Sequence, residues 1–299
     1  MKPEADFPKR QHFVPELLQS GFADADGCLW YFDRRRKDGV DRTGTGNLFV
    51  EGHLYTTEDA EGTRRGTIES LLSKVETAVA PVLERVVARA RLRRPPDLVD
   101  EDRWIVLLFM YLQHRRVPDF FRQVPFDRPL GEEIAEIVRQ TEAERGPLDP
   151  AVRDTYLSPA LAKRLEQNFR ASGVFGDLAN SPSFRRFNAR DISAAVLDRP
   201  GASLILGSYP VARTSVDGRT DLDHSGVEMW MPIAPDVALG LAGPQGRSTI
   251  ALVGAGPWVR NLNNYIRDRS TVIASPSRYL VEVLSKKMTG PVVQSRFRP

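Results

Sequence analysis

The spacing of apolar residues along the chain changes twice. Over residues 1–60 the apolar positions come in short aromatic or β-branched runs closed by turn residues. LWYF (29–32) stands between DADG and DRRRKDG, and NLFVEGHLYT follows at 47–56. Such runs predict strands of a small antiparallel unit. From Thr67 the steps lengthen to three and four: Ile68, Leu71, Leu72, Val75, Val79, Leu83, Val86 and Val87 mark one face of a helix. Pro81 inside this pattern predicts a kink or two abutting helices, and Arg94-Pro95-Pro96 ends it. A second helix is predicted over 100–116, with Asp100 as its N-cap; it is apolar on all sides and therefore buried. A third is predicted over 130–144. A fourth is predicted over 158–171, where Ser158-Pro159 places a cap before a proline at the first helical position.

From Phe184 the pattern returns to strands. SLILGSYPVART (203–214) and GVEMWMPIAP (226–235) read as strands, joined by the polar loop SVDGRTDLDHSG; DVALGLAG and STIALVGAG follow. VRNLNNYIRDRSTVIASPSRYLVEVLSKK reads as one or two helices, and the residues from Gly290 as a loose basic tail. This order predicts an α+β fold in which N-terminal antiparallel strands, a central helical bundle and C-terminal strands with a helix pack as one core. The expected organisation is a single domain over 1–299, strand-rich to residue 60, helical over 61–182, mixed over 183–289 and ending in the tail.

Composition narrows the function classes. The 299 residues are 41% hydrophobic and 27% charged, as in globular proteins. The longest apolar run, WIVLLFMYL, is too short to span a bilayer, so no membrane role is expected. MKPEADFPKRQ holds no apolar stretch of the secretory kind, and the single cysteine, Cys28, suits a reducing compartment; a cytoplasmic protein is expected. One cysteine and four separated histidines give no zinc spacing and no HExxH pair, so no metal site is assigned, and nothing points to a particular cofactor. The net charge is +3 and the pI about 9.1. Arginines gather at 34–36 beside Lys37, at Arg85, Arg89, Arg91, Arg93 and Arg94, and at Arg115-Arg116; they suit either nucleic-acid contact or an arginine-rich codon usage.

The candidate chemistry is dispersed. His224 lies in TDLDHSG beside Asp221 and Asp223, a pattern that reads as a solvated turn. RTGTGN lacks the strand–loop–helix spacing of a dinucleotide site, and VGAGPW reads as a tight turn. His114, Gln113 and Arg116 close the buried helix, where a cation meets the helix dipole. An arginine fork there either caps the helix or holds a carboxylate or phosphate. Glu69 and Glu76 lie seven residues apart on one helical face, with Leu72 between them. A glutamate on a core-facing stripe needs a partner, and Arg116 and His12 are candidates. A carboxylate beside an imidazole orients it as a general base, or forms an ordinary ion pair.

Taken in order, these segments resemble the bacterial domain-of-unknown-function family 4238. Members open with K-x-Q-H-[FY]-V-P, matched by Lys9, Gln11, His12, Phe13, Val14 and Pro15. An aromatic strand ending in Asp follows, like WYFD closing at Asp33. Then come a helical segment ending in Glu, like LSKVE at Glu76, and Q-x-x-R-x-P, matched by Gln113, Arg116 and Pro118. Late in the chain, GSYPV (207–211), MPIAP (231–235) and VRNLNN correspond to a G-D-x-P-V strand, a PLSP-like turn and an Asn-containing helix. One departure stands out: Ser208 occupies the position of the family's acidic residue.

The resemblance implies that His12, Asp33, Glu76, Gln113 and Arg116 meet in one polar cleft between the N-terminal strands and the helices, with Ser208 at its edge. Two functions follow. In the first, the protein is a phosphodiester-directed enzyme, a nuclease-like toxin or anti-phage effector. His12 is its acid or base, Glu76 or Asp33 the orienter, Arg116 the phosphate clamp, and Gln11, Gln113 and Ser208 position substrate. In the second, it is a non-catalytic protein binding nucleic acid, a protein partner or a second copy of itself, and Gln11, His12, Gln113 and Arg116 form a structural hydrogen-bonded post.

Overall fold

The computed structural model describes residues 8–36, 38–123, 129–176, 178, 180–214, 226–244, 249–254 and 256–288. The polar loop carrying Asp221, Asp223 and His224, Lys37 and the basic tail lie outside these residues.

The fold is α+β. The N-terminal part comprises β1 (Arg10–His12), α1 (Glu16–Phe22), β2 (Cys28–Asp33), β3 (Val40–Gly44), β4 (Val50–Gly52), β5 (Thr57–Glu58) and β6 (Arg64–Arg65). The helical part runs through α2 (Thr67–Arg91), α3 (Asp100–Arg115), α4 (Pro118–Gln123), α5 (Leu130–Arg145), α6 (Pro150–Tyr156), α7 (Pro159–Gly173) and α8 (Pro182–Asn188). The rest holds β7 (Arg190–Leu197), β8 (Leu206–Gly207), β9 (Ala212–Thr214), β10 (Glu228–Ala234), β11 (Val237–Pro244), β12 (Ile250–Val253), α9 (Pro257–Arg269), β13 (Val272–Ser275) and α10 (Arg278–Ser285).

Two main sheets organise these elements. One has the order β12-β7-β11-β10-β9, with only β12 and β7 parallel. The other, β3-β2-β13-β8, is antiparallel throughout and joins the first forty residues to the last described strand. A two-stranded ladder, β1 with β4, sets Gln11 opposite Glu51 and His12 opposite Val50. Among the described residues the buried apolar side chains, Val138 and Ala171 apart, form one cluster drawn from Phe13 to Met288 beyond α10. α2 packs against α3, and α3 is buried continuously from Val106 to His114 because it lies between α2 on one side and α8 on another.

Several local expectations change. Of the two alternatives at Pro81, the abutting helices are ruled out: α2 is one helix through it, because the single N–H that proline removes does not outweigh the buried stripe of Leu72, Val79, Val82, Leu83 and Val86. Val99, and not Asp100, occupies the N-cap of α3, and Asp100 supplies negative charge in the first turn instead. The 47–56 stretch forms only three residues of strand, and ELLQSGF, read as part of a strand-and-turn region, is α1. Gln19 on α1 donates to the carbonyls of Val14 and Leu48, which fixes the helix against the turns around it. The region after Val259 contains a strand: TVIAS interrupts the helical pattern as β13, whose backbone is paired on both sides by β2 and β8. Ser158 does cap α7, accepting from Leu161 N at 3.2 Å. The same cap-then-proline signal starts α6 at Asp149 and α8 at Ser181.

Candidate functional site

The motif residues assemble around Arg116, which caps α3 and is only 2% exposed. A guanidinium in such a place must spend its donors inside the protein. Arg116 donates from Nη1 to Glu76 Oε1 on α2, from Nη2 to the carbonyl of His12 on β1, and from Nε to the Tyr55 hydroxyl at 3.3 Å. Tyr55 returns the contact: its hydroxyl donates to the Arg116 carbonyl at 2.8 Å, and its ring centroid lies 5.4 Å from the guanidinium carbon. Gln11 ties the same corner from the other side. Its Oε1 accepts from Tyr55 N at 2.7 Å, and its Nε2 donates to Thr56 Oγ1 at 3.4 Å. One arginine thereby joins the first strand, the turn around Tyr55, and helices α2 and α3.

Glu69 lies two helical turns before Glu76 and is half-buried. Burial pushes its carboxyl above the usual range, the positive charge of Arg116 opposes that shift, and the neighbouring Glu76 adds to it. Its Oε2 finds no hydrogen-bond partner among the described residues. Gln113, one turn before Arg116 on α3, is fully buried, and neither of its amide atoms is paired among the described residues.

His12 contributes its main chain to Arg116, while its ring stands apart. The imidazole is about one-fifth exposed, with Nε2 3.4 Å from Glu16 Oε1, the distance of an ion pair but without the alignment of a hydrogen bond. The carboxylate beside His12 is therefore Glu16, one turn further on. Glu76 is engaged with Arg116 and Asp33 with Arg35.

Asp33 and Ser208 lie on opposite sides of β13 with separate partners, and Ser208 belongs to a second polar knot around Asp119. Asp33 ends β2 opposite Val272 of β13. Burial alone would raise its carboxyl, but Arg35 holds it below the usual range through Nε and Nη2 contacts of 2.9 and 2.7 Å and a main-chain N–H at 3.0 Å. On the other side of β13, Ser208 N donates to Val272 O at 2.8 Å, and Ser208 Oγ accepts from Thr271 N at 2.8 Å and Val272 N at 3.1 Å. Ser208 Oγ in turn donates to Asp119 Oδ2, while Thr271 Oγ1 donates to Asp119 Oδ1 at 2.6 Å. Asp119 is 1% exposed. The expected residues thus do not share one cleft: Arg116 gathers Glu76 and the His12 carbonyl, Asp119 gathers Ser208, Asp33 is held by Arg35, and Gln113 has no hydrogen-bond partner among the described residues. Asp119, Thr271 and Tyr55 were not singled out by sequence. The signal for Asp119 was an acidic residue set in VPDFF, a surround that leaves a carboxylate in need of internal donors.

The long arginine cluster is not an open basic stripe. Arg85 pairs with Asp102, Arg89 with Asp97, Arg91 with Asp236 and Arg93 with Asp198. Among the described residues no group of three or more His, Cys, Asp or Glu side chains could hold a metal ion, and no helix is long and apolar enough to cross a membrane.

Comparison with known proteins adds the family alone. No curated protein and no solved structure matches the chain. A family model described as a protein of unknown function (DUF4238) matches residues 10–277, which is most of the sequence, and the chain therefore belongs to the DUF4238 family.

Proposed function

We propose that the protein is a non-catalytic binding protein, cytoplasmic and directed at a negatively charged partner such as nucleic acid, in which the QHFVP and QHRRVP segments are a structural post. The observation that carries this reading is Arg116. It is 2% exposed, and its three nitrogens donate to Glu76, the His12 carbonyl and the Tyr55 hydroxyl. A phosphate clamp needs donors that face the ligand, and a group so enclosed serves stability and geometry instead. The pI of about 9.1 and single cysteine accord with an anionic partner in a reducing compartment.

A second reading, a phosphodiester-directed enzyme of the nuclease-like effector kind, draws on one observation. The His12 ring is partly exposed beside Glu16, and the half-buried, upward-shifted Glu69 feels the charge of the same Arg116 that bonds the His12 carbonyl. Such groups are suited to proton transfer.

One experiment separates the two. Melting temperature, nucleic-acid retention in a mobility-shift assay, and nucleic-acid degradation are measured for the wild type, His12→Ala and Arg116→Ala. Retention without degradation by the wild type, with a lowered melting temperature for Arg116→Ala, upholds the binding reading. Degradation that disappears in His12→Ala at an unchanged melting temperature overturns it in favour of the enzyme.

A further inference from the structure

Helices α5, α6 and α7 differ from the rest of the molecule in what holds them. Val138 is the buried side chain of α5 and Ala171 that of α7, and α6 has none. Both lie outside the main apolar cluster. Ile137, Val152, Tyr156, Leu165 and Phe169 are exposed. The three helices are nonetheless tied to one another. α5 and α6 pack on α7, and the start of α5 approaches it closely enough that a Cβ on Gly131 would stand 3.7 Å from that of Ala162. Glu142 of α5 pairs with Arg153 of α6 at 3.1 Å.

The link to the remaining fold is polar. Gln167 Nε2 donates to the carbonyls of His53, Leu54 and Thr56 at 2.7, 3.0 and 3.3 Å, sharing two hydrogens among three acceptors. Asn168 accepts at Oδ1 from Glu58 N at 2.8 Å and donates from Nδ2 to Glu58 O at 2.7 Å. Asp59 N donates to Thr63 O across the hairpin, so the alternation of an antiparallel pair turns both main-chain groups of Glu58 away from β6. The Asn168 carboxamide thus stands where the next strand would lie and covers the outer edge of β5. Arg164 adds a bond to the Ala60 carbonyl at 3.3 Å. These side chains are only half-buried, so water can replace each bond at small net cost. A unit with few buried apolar groups, joined by such bonds, belongs to the low-stability end of a fold. At its far end α7 runs into Val174, which is fully buried in the main cluster, and then Gly176, whose φ of +55° suits glycine.

We propose that α5, α6 and α7 form a hinged cover, latched by Gln167 and Asn168 onto the Tyr55 turn and β5 and pivoting about residues 171–176, that opens while the core stays folded. Opening bares the carbonyls of the turn and the outer edge of Glu58. The bonds of Tyr55 to Gln11 and Arg116 do not involve the cover and persist in the open state, so the device does not depend on the role of Arg116.

Amide hydrogen exchange of the full chain, followed by mass spectrometry in increasing sub-denaturing urea, tests it. Amides of 130–170 are expected to exchange faster than those of 106–112 in α3 and with little dependence on urea, as for an opening that exposes little surface. Gln167→Ala and Asn168→Ala should each speed exchange across 130–170 and in 53–58 by about three- to tenfold. Ile192→Val, which trims the buried core on β7, should speed exchange in α3 and leave 130–170 unchanged, because it weakens the closed and open forms alike. Exchange of 130–170 that follows α3 in rate and urea dependence would overturn the cover. So would acceleration of both regions by Ile192→Val, or latch variants that leave 130–170 and 53–58 as in the wild type.

Discussion

Tyr55 and Arg116 hold each other through both main chain and side chain. The phenol donates to the arginine's carbonyl, accepts from its Nε, and sets its ring against the guanidinium. Both groups are fully enclosed; burial pushes the Tyr55 phenol up while the positive charge of Arg116 opposes it. Tyr55→Phe keeps the ring and removes the hydroxyl. It strands a carbonyl and an N–H in the interior, and the expected loss is about 1–3 kcal/mol in denaturant unfolding.

Arg116→Lys should not rescue the post. An ammonium is a single point of charge and cannot reach Glu76, the His12 carbonyl and the Tyr55 hydroxyl together. The expected outcome is a loss on the order of 3–5 kcal/mol, as for breaking a buried pair, with Arg116→Lys close to Arg116→Ala in midpoint of unfolding.

Ser208→Ala tests the second knot. It removes the donor to Asp119 Oδ2 and an acceptor shared by Thr271 N and Val272 N. A loss of about 1–3 kcal/mol is expected by chemical denaturation. It should not add simply to that of Asp119→Asn, because the two residues share one bond.

Acid should weaken the fold through His114. Its folded-state pKa lies below the unfolded value, burial being the main cause, so the unfolded chain takes up a proton that the folded ring refuses. This contribution is present above about pH 6.5 and is lost as pH falls below it. His114→Gln should show a shallower decline in stability between neutral and mildly acidic pH than the wild type.

Glu69 has the opposite sign. Burial raises its carboxyl, so its contribution is present below the unfolded pKa and is lost as pH rises through the folded one. Glu69→Gln keeps the shape and removes the charge; it should raise the melting temperature at pH 7.5 and leave it almost unchanged in acid.

What the sequence made legible was the part governed by local rules. The period of α2, the burial of α3 and the Ser158 cap were visible because each depends on neighbours within a few residues. The strand β13 was hidden, since TVIAS carries strand character only because β2 and β8 arrive to pair with it. The candidate site was legible as a set and illegible as a geometry. Gln11, Glu76 and the main chain of His12 are tied to the Arg116 corner, but only distance in space separates a clamp from a post. Nothing in QHRRVPDFF says that Arg116 turns inward to a carbonyl and a phenol, or that Asp33 and Ser208 meet across Val272 while Asp119 receives Ser208 and Thr271 from the far side.

The position of β13 also bears on biosynthesis. β2 is completed on one edge by a strand that begins at Val272, so a nascent chain emerging from the ribosome carries an unfinished sheet until that distant strand has been made. At roughly 5–20 residues per second that delay lasts on the order of tens of seconds. During it the LWYF segment needs shelter from chaperones or from its own α1 and β3, and a chain cut short before Val272 would keep that edge permanently open.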